Sequence, residues 1–220
     1  MHQTVQNLLN INTQIKAKIN ELKYNNYKVE IIAISKTFSI SHILPLIDYG
    51  HTHFGENKVQ EAIDKWFEIK NENKNIKLHM VGKLQTNKVK IALKVFDFIH
   101  SLDNLKLARK ISDEQKKYKI KPKIFVQVNV GSESQKSGIS IESLPQFFIE
   151  CKKLELNIIG TMCLPPINED PGIFFSQMEK INYDLKLKEL SMGMSEDYLK
   201  AIEYYSTYLR IGSKIFGARS

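Results

Sequence analysis

The chain has 220 residues, of which 42% are hydrophobic and 25% are charged, with ten glycines and six prolines. This composition is typical of a globular domain and excludes disordered and collagen-like proteins. The longest apolar runs, such as Ile31–Ile34, are too short to span a bilayer, and the amino-terminal segment lacks the apolar core of a secretory signal. Cys151 and Cys163 are too few for a disulfide framework, so we expect a reducing, cytoplasmic environment.

The formal net charge of +8 is the unusual number in this composition. It is compatible with a nucleic-acid partner or with an anionic ligand. Lys, Asn and Ile are used heavily along the whole chain, which indicates compositional bias as the main source of the charge. Lys65, Lys70, Lys74 and Lys77 are expected to form a solvated face. Because no recognition motif accompanies the charge, we expect no nucleic-acid partner.

The first predicted element is an amphipathic helix over residues 3–23, with Val5, Leu8, Ile15 and Ile19 on one face. Eight short runs that read as strands follow, at 29–35, 51–55, 76–82, 96–103, 123–130, 156–163, around 190–191 and at 207–211. Helical patterns alternate with these strands, at 41–49, 56–70, 85–94, 105–117, 141–153, 173–188, 196–204 and 213–216.

Alternating strands and helices predict an α/β protein with a parallel sheet. Eight such units predict a closed barrel, so the expected fold is a single (β/α)8 TIM barrel domain over residues 1–220 with one extra amino-terminal helix. The alternative is an open doubly wound sheet. Such a sheet usually carries a glycine-rich dinucleotide turn after its first strand, and this chain has none there.

Chemistry in such a barrel takes place at the carboxyl ends of the strands. The residues that follow or end the predicted strands are Lys36, Glu56, Asn57, His79, Asn129, Met162, Ser191 and Arg210. Lys36 directly follows an apolar strand. Partial burial would lower its pKa and make the neutral amine available for Schiff-base formation, whereas the alternative is a solvated lysine.

The segment RIGSKIFGARS (210–220) predicts a phosphate site, because Gly212 and Ser213 precede a short helix whose first N–H groups and dipole favour an anion. The small-residue turn LSMGMS (190–195) is positioned to meet the same phosphate, since barrels often bind phosphate after strands seven and eight. A lysine for a Schiff base, a phosphate site and Arg210 between them point to pyridoxal 5′-phosphate.

Six segments resemble the YggS/PROSC family, the pyridoxal phosphate homeostasis proteins. They are IIAISKTFS (31–39), HFGENKVQEAIDK (53–65), LHMVGKLQTNKVK (78–90), FVQVNVGSESQKSG (125–138), LSMGMSEDYLKAIEYYST (190–207) and LRIGSKIFGAR (209–219). The resemblance runs from the first strand to the carboxyl terminus. It implies a single barrel like the amino-terminal domain of alanine racemase, the fold type III of pyridoxal phosphate proteins.

The resemblance also implies roles for individual residues. Lys36 matches the lysine that binds the cofactor covalently, Arg210 the arginine facing the pyridine nitrogen, and Asn57 a residue lining the site. The phosphate would be held by Ser191, Met192, Gly212 and Ser213. Met162 and His79 are candidate wall residues. Lys136 matches a lysine linked to secondary cofactor handling in some members, the alternative being a solvated loop lysine.

An arginine at the pyridine nitrogen supplies no negative charge, so the ring would be a weak electron sink. The eight units also use nearly all 220 residues, which leaves no segment for the second domain that brings a racemase its second base. We therefore expect a monomeric, non-catalytic carrier that buffers pyridoxal 5′-phosphate and passes it to apo-enzymes that need it. The alternative is a pyridoxal phosphate-dependent amino-acid racemase or lyase.

No metal site is expected, because no Cys or carboxylate lies at useful spacing from His51 and His53. We expect these two histidines to pack in the barrel. Cys163 is expected to be a small buried filler.

Overall fold

The strands form one closed parallel barrel in a computed structural model of the chain, which describes residues 1–131, 133 and 137–218. Each strand pairs with the next in sequence, and β8 closes the barrel on β1. The strands are β1 (Glu30–Ile34), β2 (His53–Glu56), β3 (Lys77–Met80), β4 (Phe98–Leu102), β5 (Lys123–Val128), β6 (Ile158–Cys163), β7 (Glu189–Ser191) and β8 (Tyr208–Ile211). The predicted (β/α)8 barrel is confirmed.

The helices alternate with the strands and cover the outside of the barrel. They are α1 (Gln3–Glu21), α2 (Ile40–Asp48), α3 (Val59–Glu72), α4 (Val89–Val95), α5 (Leu105–Tyr118), α6 (Leu144–Lys153), α7 (Pro171–Asp184), α8 (Tyr198–Ile202) and α9 (Ser213–Phe216), with a short 3-10 turn at Thr86–Lys88. The extra helix α1 packs against α2, α8 and α9. Within the described ranges, no helix combines the length and the apolar character needed to cross a bilayer.

The barrel has two cores because both faces of each strand are buried. Outward-facing residues such as Ile31, Ala33 and Phe54 join the helices in the main cluster. Inward-facing residues form a second cluster that fills the lumen, namely Ile32, Ile34, Phe98, Phe125, Met162 and Tyr208. This double burial explains why the strands read as continuous apolar runs rather than as alternating patterns.

Several helix boundaries differ from the sequence prediction. The helix predicted from residue 56 begins at Val59, because Glu56 completes β2. The helix predicted from residue 173 begins at Pro171, where the Asp170 side chain accepts a hydrogen bond from the Gly172 N–H and caps the first turn. Proline fits the first helical turn because its missing N–H would be unpaired there in any case.

Candidate functional site

Lys36 lies on a tight turn immediately after β1, at the carboxyl end of the barrel, and is half-buried. The next residue, Thr37, has a left-handed backbone with φ 69°. Its N–H donates to Glu61 Oε1 over 2.7 Å. The Ser35 N–H donates to the Gly55 carbonyl of β2 over 3.0 Å. The backbone on both sides of Lys36 is therefore tied to neighbouring elements, which restricts where the amine can point.

A buried ion cluster supports this turn from outside the barrel. Glu56 is fully buried, and its Oε1 accepts hydrogen bonds from Ser35 Oγ (2.7 Å), Lys65 Nζ (3.0 Å) and Trp66 Nε1 (3.0 Å). Lys65 Nζ also donates to the Ser35 carbonyl at 3.0 Å and to Glu61 Oε1 at 3.1 Å. We call Glu56, Glu61 and Lys65 the turn clamp.

The turn clamp corrects one sequence prediction. Lys65 was expected on a solvated face, but only 10% of its side chain is exposed. Helix α3 places Lys65 one turn after Glu61, so both side chains reach the loop that follows β1. A charge pattern along one helix does not show that the end of β2 brings the buried carboxylate of Glu56 to it.

Arg210 is the inward-facing cation at the same end of the barrel. It pairs in register with Ile32 of β1 and is 5% exposed. Nη1 donates to Ser191 Oγ over 2.7 Å, and Nη2 donates to the Cys163 carbonyl over 2.8 Å. Burial lowers the pKa of the Arg210 guanidinium from its ordinary value, but arginine stays charged in proteins. The structure thus holds a fixed cation between the ends of β6 and β7.

The turns after β7 and β8 meet, as the sequence predicted for a shared phosphate site. The Arg210 N–H donates to the Gly193 carbonyl over 2.9 Å, and the Lys214 N–H reaches Ser195 Oγ at 3.4 Å. Gly193 has φ +90°, and a Cβ there would lie 2.7 Å from Ala201 Cβ, so only glycine fits this turn.

The four predicted phosphate residues lie in these two turns. Gly212 is half-buried and Ser213 is exposed at the first position of α9, where N–H groups have no partner within the helix. Ser191 and Met192 are fully buried. The Ser191 hydroxyl is bonded to Arg210 and His100 inside the barrel, so a phosphate would meet Ser191 through its backbone.

Asn57 follows β2 and is half-buried at the same end. Its Oδ1 atom is buried, and within the described part of the chain it has no hydrogen-bond partner. Gly82, after β3, lies so close that a Cβ would come within 2.3 Å of the Asn57 carbonyl oxygen. A buried oxygen without a partner costs free energy unless a ligand supplies a donor.

The two candidate wall residues lie in the lumen. Met162 is 1% exposed and packs in the inner cluster. His79 is fully buried and stacks on Phe98, the first residue of β4, with 4.1 Å between ring centroids. The structure therefore places His79 below the opening rather than in its wall. Lys136 lies outside the described residues.

A chain of hydrogen-bonded histidines in the lumen was not predicted. His53 Nδ1 contacts His79 Nε2, and His79 Nδ1 contacts His100 Nε2, each at 2.9 Å. His100 Nδ1 lies 2.9 Å from Ser191 Oγ, which also accepts from Arg210. We call His53, His79 and His100 the histidine relay. The signal was present in the sequence, because all three occupy inward-facing positions on consecutive strands.

Burial keeps these rings neutral. It lowers the pKa of His53 to about 4, with a further contribution from Lys77 and Lys123, and it lowers the pKa of His79 and His100 well below the usual range. His51 lies beside the relay, and its Nε2 is 2.9 Å from the His53 carbonyl. Among the described residues, no three His, Cys, Asp or Glu side chains are grouped to hold a metal.

Comparison with known proteins assigns the chain to a family. The family model for the alanine racemase N-terminal domain matches residues 12–220. A pyridoxal phosphate homeostasis protein of Vibrio cholerae is 34% identical over 231 residues, which cover 100% of this chain and 98% of that protein. The one from Haemophilus influenzae is 33% identical and is covered over 95% of its length, with 97% of this chain aligned. The chain belongs to the pyridoxal phosphate homeostasis protein family.

Solved structures of similar proteins agree with this family. PipY of Synechococcus elongatus, solved with pyridoxal phosphate bound, is 31% identical with a TM-score of 0.81, and the match covers 92% of this chain and 100% of PipY. An alanine racemase of Clostridium difficile has a TM-score of 0.74 at 16% identity, and the match covers 98% of this chain but 56% of the racemase. The racemase likeness supports the fold.

Proposed function

We propose that this protein holds pyridoxal 5′-phosphate reversibly on Lys36 at the carboxyl end of the barrel and takes part in its intracellular homeostasis, with residues 1–220 acting as one cofactor-binding domain. The observation that carries the proposal is the arrangement of Lys36 and Arg210. The turn clamp supports the Lys36 turn from outside, and Ser191 and the Cys163 carbonyl hold Arg210 inside the same opening.

The residues around this opening fit the cofactor in three respects. Asn57 Oδ1 is a buried acceptor without a described partner and is available to a ligand donor. The meeting turns after β7 and β8 expose the first N–H groups of α9 near small residues, which suits a phosphate. Arg210 offers a fixed N–H donor edge and a positive charge, which suits an unprotonated ring nitrogen.

When bound, pyridoxal 5′-phosphate would supply an electrophilic aldehyde, and Lys36 is the residue that would hold it covalently and reversibly. The residues of this chain contribute binding and orientation. The turn clamp limits the directions available to Lys36, and Arg210 cannot provide the negative charge that would keep a pyridine nitrogen protonated. The ring would therefore stabilise a substrate carbanion poorly, which supports a holding role without catalytic turnover.

The comparisons add support for a homeostasis role over a racemase role. Two relatives named for homeostasis are covered over 95% and 98% of their length, whereas the alanine racemase structure is covered over 56% of its chain. We also propose that the protein acts as a monomer and that its partners are pyridoxal phosphate and the apo-enzymes that require it. Two buried, unpaired cysteines fit a reducing cytoplasm.

The test of cofactor attachment is a titration of purified apo-protein with pyridoxal 5′-phosphate, followed by visible absorption. The wild-type protein is expected to gain a band that Lys36→Ala loses. Lys16→Ala is the matched control, because Lys16 is exposed on the outer helix α1 and lies outside the proposed site, and it should keep the band. Borohydride reduction and peptide mapping should place the label on the peptide containing Lys36.

Two outcomes would overturn the proposal. An absorption band that persists in Lys36→Ala would place the cofactor on another residue. A protein that gains no band at any cofactor concentration would remove the binding function altogether. The non-catalytic role is tested separately by incubating loaded protein with L-amino acids in deuterated water, where multi-turnover α-deuteration or racemisation would establish an enzyme instead.

A further inference from the structure

A cavity of about 610 Å³ opens at the amino end of the barrel, opposite the cofactor opening. Its inner wall is formed by the first residues of six strands, Glu30, His53, Lys77, Phe98, Lys123 and Tyr208. We call this space the basal cavity. Small-molecule sites commonly have volumes of roughly 300–1,000 Å³, so its size suits a metabolite.

The basal cavity has an excess of positive charge. Five of its lining residues are lysines and two are acidic, Glu30 and Asp97. Lys70 is paired with Asp97 at 2.6 Å. Within the described ranges, the other four have no carboxylate oxygen within 4.0 Å, namely Lys77, Lys94, Lys121 and Lys123. Four unpaired ammonium groups around one remaining carboxylate favour an anion with more than one charge.

The wall between the lysines is apolar, with Leu93, Phe96, Ile120 and Pro122 lining the same space. Phosphate oxygens accept hydrogen bonds from lysine ammonium groups, and an apolar wall accommodates an organic body attached to the phosphate. A small organic phosphate matches both parts of this lining.

The basal cavity is connected to Ser191 and Arg210 by the histidine relay. His53 lines the cavity, with 16% of its side chain exposed, whereas His79 and His100 are fully buried. The relay therefore forms a continuous path of hydrogen bonds from one end of the barrel to the other.

Three neutral rings can satisfy the relay in only two ways, because each carries one N–H. In the first order, the Ser191 hydroxyl donates to His100, His100 to His79, and His79 to His53. In the second order every bond is reversed, so that His53 donates towards His79 and His100 donates to Ser191. Ser191 then accepts from both His100 and Arg210, and its own hydroxyl proton is released for another acceptor.

We propose that the basal cavity binds a small organic phosphate and that the histidine relay transmits its occupancy to Ser191 and Arg210. A protonated His53 carries N–H groups on both nitrogens, which is compatible only with the second order. The change from the first order takes up one proton from water and alters the tautomers of His79 and His100, and no other group enters or leaves.

The charges around His53 explain how an anion would trigger this change. Lys77 of β3 and Lys123 of β5 lower the pKa of His53, whereas Asp97 raises it. Glu30 Oε2 of β1 lies 4.0 Å from His53 Nε2. A phosphate bound by the two lysines would offset their charge and favour the protonated ring.

The remaining groups that face His53 are uncharged. They are His51 on its own chain segment, His79 of β3, the Phe98 ring of β4 and the Tyr208 ring of β8. Burial lowers the pKa of His51 to about 4 and raises that of Tyr208. Neither group therefore changes its charge near neutral pH, and the lysines, Asp97 and Glu30 decide the protonation of His53.

Binding is tested by calorimetric titration of the cofactor-free protein with phenyl phosphate and, separately, with inorganic phosphate. We expect saturable binding that is tighter for phenyl phosphate. Lys77→Gln/Lys123→Gln should weaken it at least tenfold, whereas Lys16→Gln/Lys90→Gln, which has the same net charge, should leave it within about twofold. Equal weakening by both pairs, or binding unaffected by the first pair, would overturn the basal site. Equal affinity for the two ligands would overturn an organic phosphate.

Transmission is tested at the far end of the relay in the same cofactor-free protein. In ¹⁵N spectra, phenyl phosphate should move the N–H of His100 from Nε2 to Nδ1. In calorimetric titrations near pH 5.5 with buffers of different ionisation enthalpy, its binding should be accompanied by proton uptake. His79→Gln should bind phenyl phosphate but leave His100 unchanged. If the wild-type protein binds phenyl phosphate without proton uptake and without a change at His100, the proposed transmission is overturned. This outcome does not depend on whether His79→Gln folds. These readouts do not involve Lys36, so their failure is distinct from failure of the proposed function.

Discussion

Replacing Lys65 with methionine tests whether the turn clamp supports the cofactor end of the barrel. Methionine keeps an unbranched apolar stem, so the substitution removes the ammonium group with little loss of packing. The change deletes three hydrogen bonds, to the Ser35 carbonyl, Glu56 Oε1 and Glu61 Oε1. Glu56 keeps Ser35 and Trp66 as donors but loses its only paired cation among the described residues.

The expected loss follows from burial. Glu56 is 0% and Lys65 is 10% exposed, so water cannot replace the missing cation. Removing one partner of a buried ion pair typically costs about 3–5 kcal/mol. We therefore expect the free energy of unfolding to fall by about 3 kcal/mol, roughly a 150-fold change in the unfolding equilibrium. Lys116→Met is the matched control, because Lys116 is 58% and Glu155 is 69% exposed in their pair, and exposed pairs contribute about 0–1 kcal/mol.

The assay is urea unfolding followed by far-UV circular dichroism and by the fluorescence of Trp66, the single tryptophan, which donates to Glu56. Adding Glu56→Gln to Lys65→Met should recover part of the loss, since it removes the unpaired charge. The cofactor affinity of Lys65→Met should also fall as the Lys36 turn loosens. A loss below about 1 kcal/mol, equal to that of Lys116→Met, would refute the reasoning, because it would mean that water solvates Glu56.

Three further predictions concern the histidines, the cysteines and one glycine. Burial lowers the pKa of His51 and His53 to about 4 in the folded protein, below the unfolded value of 6.5. The stability that these neutral rings contribute is therefore complete above pH 6.5 and is lost as the pH falls towards 4. The urea midpoint should drop between pH 7 and pH 5, and equal midpoints at the two pH values would contradict burial of neutral rings. Burial raises the pKa of Cys151 and Cys163 to about 12. A disulfide reagent should therefore label both thiols only after urea unfolding. Rapid labelling of the folded protein would show that a thiol is accessible to solvent. Gly193→Ala should lower the free energy of unfolding by about 1–3 kcal/mol, because φ is +90° and the new Cβ would lie 2.7 Å from Ala201 Cβ. Gly217→Ala is the control, because Gly217 has φ +91° but open space around it. Equal shifts in the melting temperatures of the two variants would show that the contact with Ala201 contributes nothing.

The fold was predictable because its signals are local and repeated. Strands β1, β5 and β6 are short, largely apolar runs whose two faces are both buried, and helical patterns alternate with the strands along the whole chain. Boundaries were less predictable where one residue serves two elements. Glu56 looks like the start of an acidic, helical segment, yet it ends β2 and bonds to Trp66 ten residues later. Only the tertiary arrangement shows that its carboxylate points outward into the turn clamp.

The candidate site was predictable only where order along the chain implies position in the barrel. Lys36 and Arg210 end neighbouring strands, so a closed barrel brings them to the same opening. The direction of a side chain within that opening follows from its partners instead. Ser191 was assigned to the phosphate, but its hydroxyl points to His100 and Arg210 inside the barrel. The sequence places Lys65 in solvent, because two of its three acceptors, the Ser35 carbonyl and Glu56, lie on other elements and cannot be read from the helix alone.

The polar lumen has a physical consequence for Arg210. His79 and His100 are fully buried inside the barrel, and each of their ring nitrogens is hydrogen-bonded. Such a network stabilises the fold only when every member is satisfied. Loss of one ring therefore leaves unpaired nitrogens on its neighbours and also weakens the hold of Ser191 on Arg210. The position of the guanidinium thus depends on residues that begin at the opposite end of the barrel.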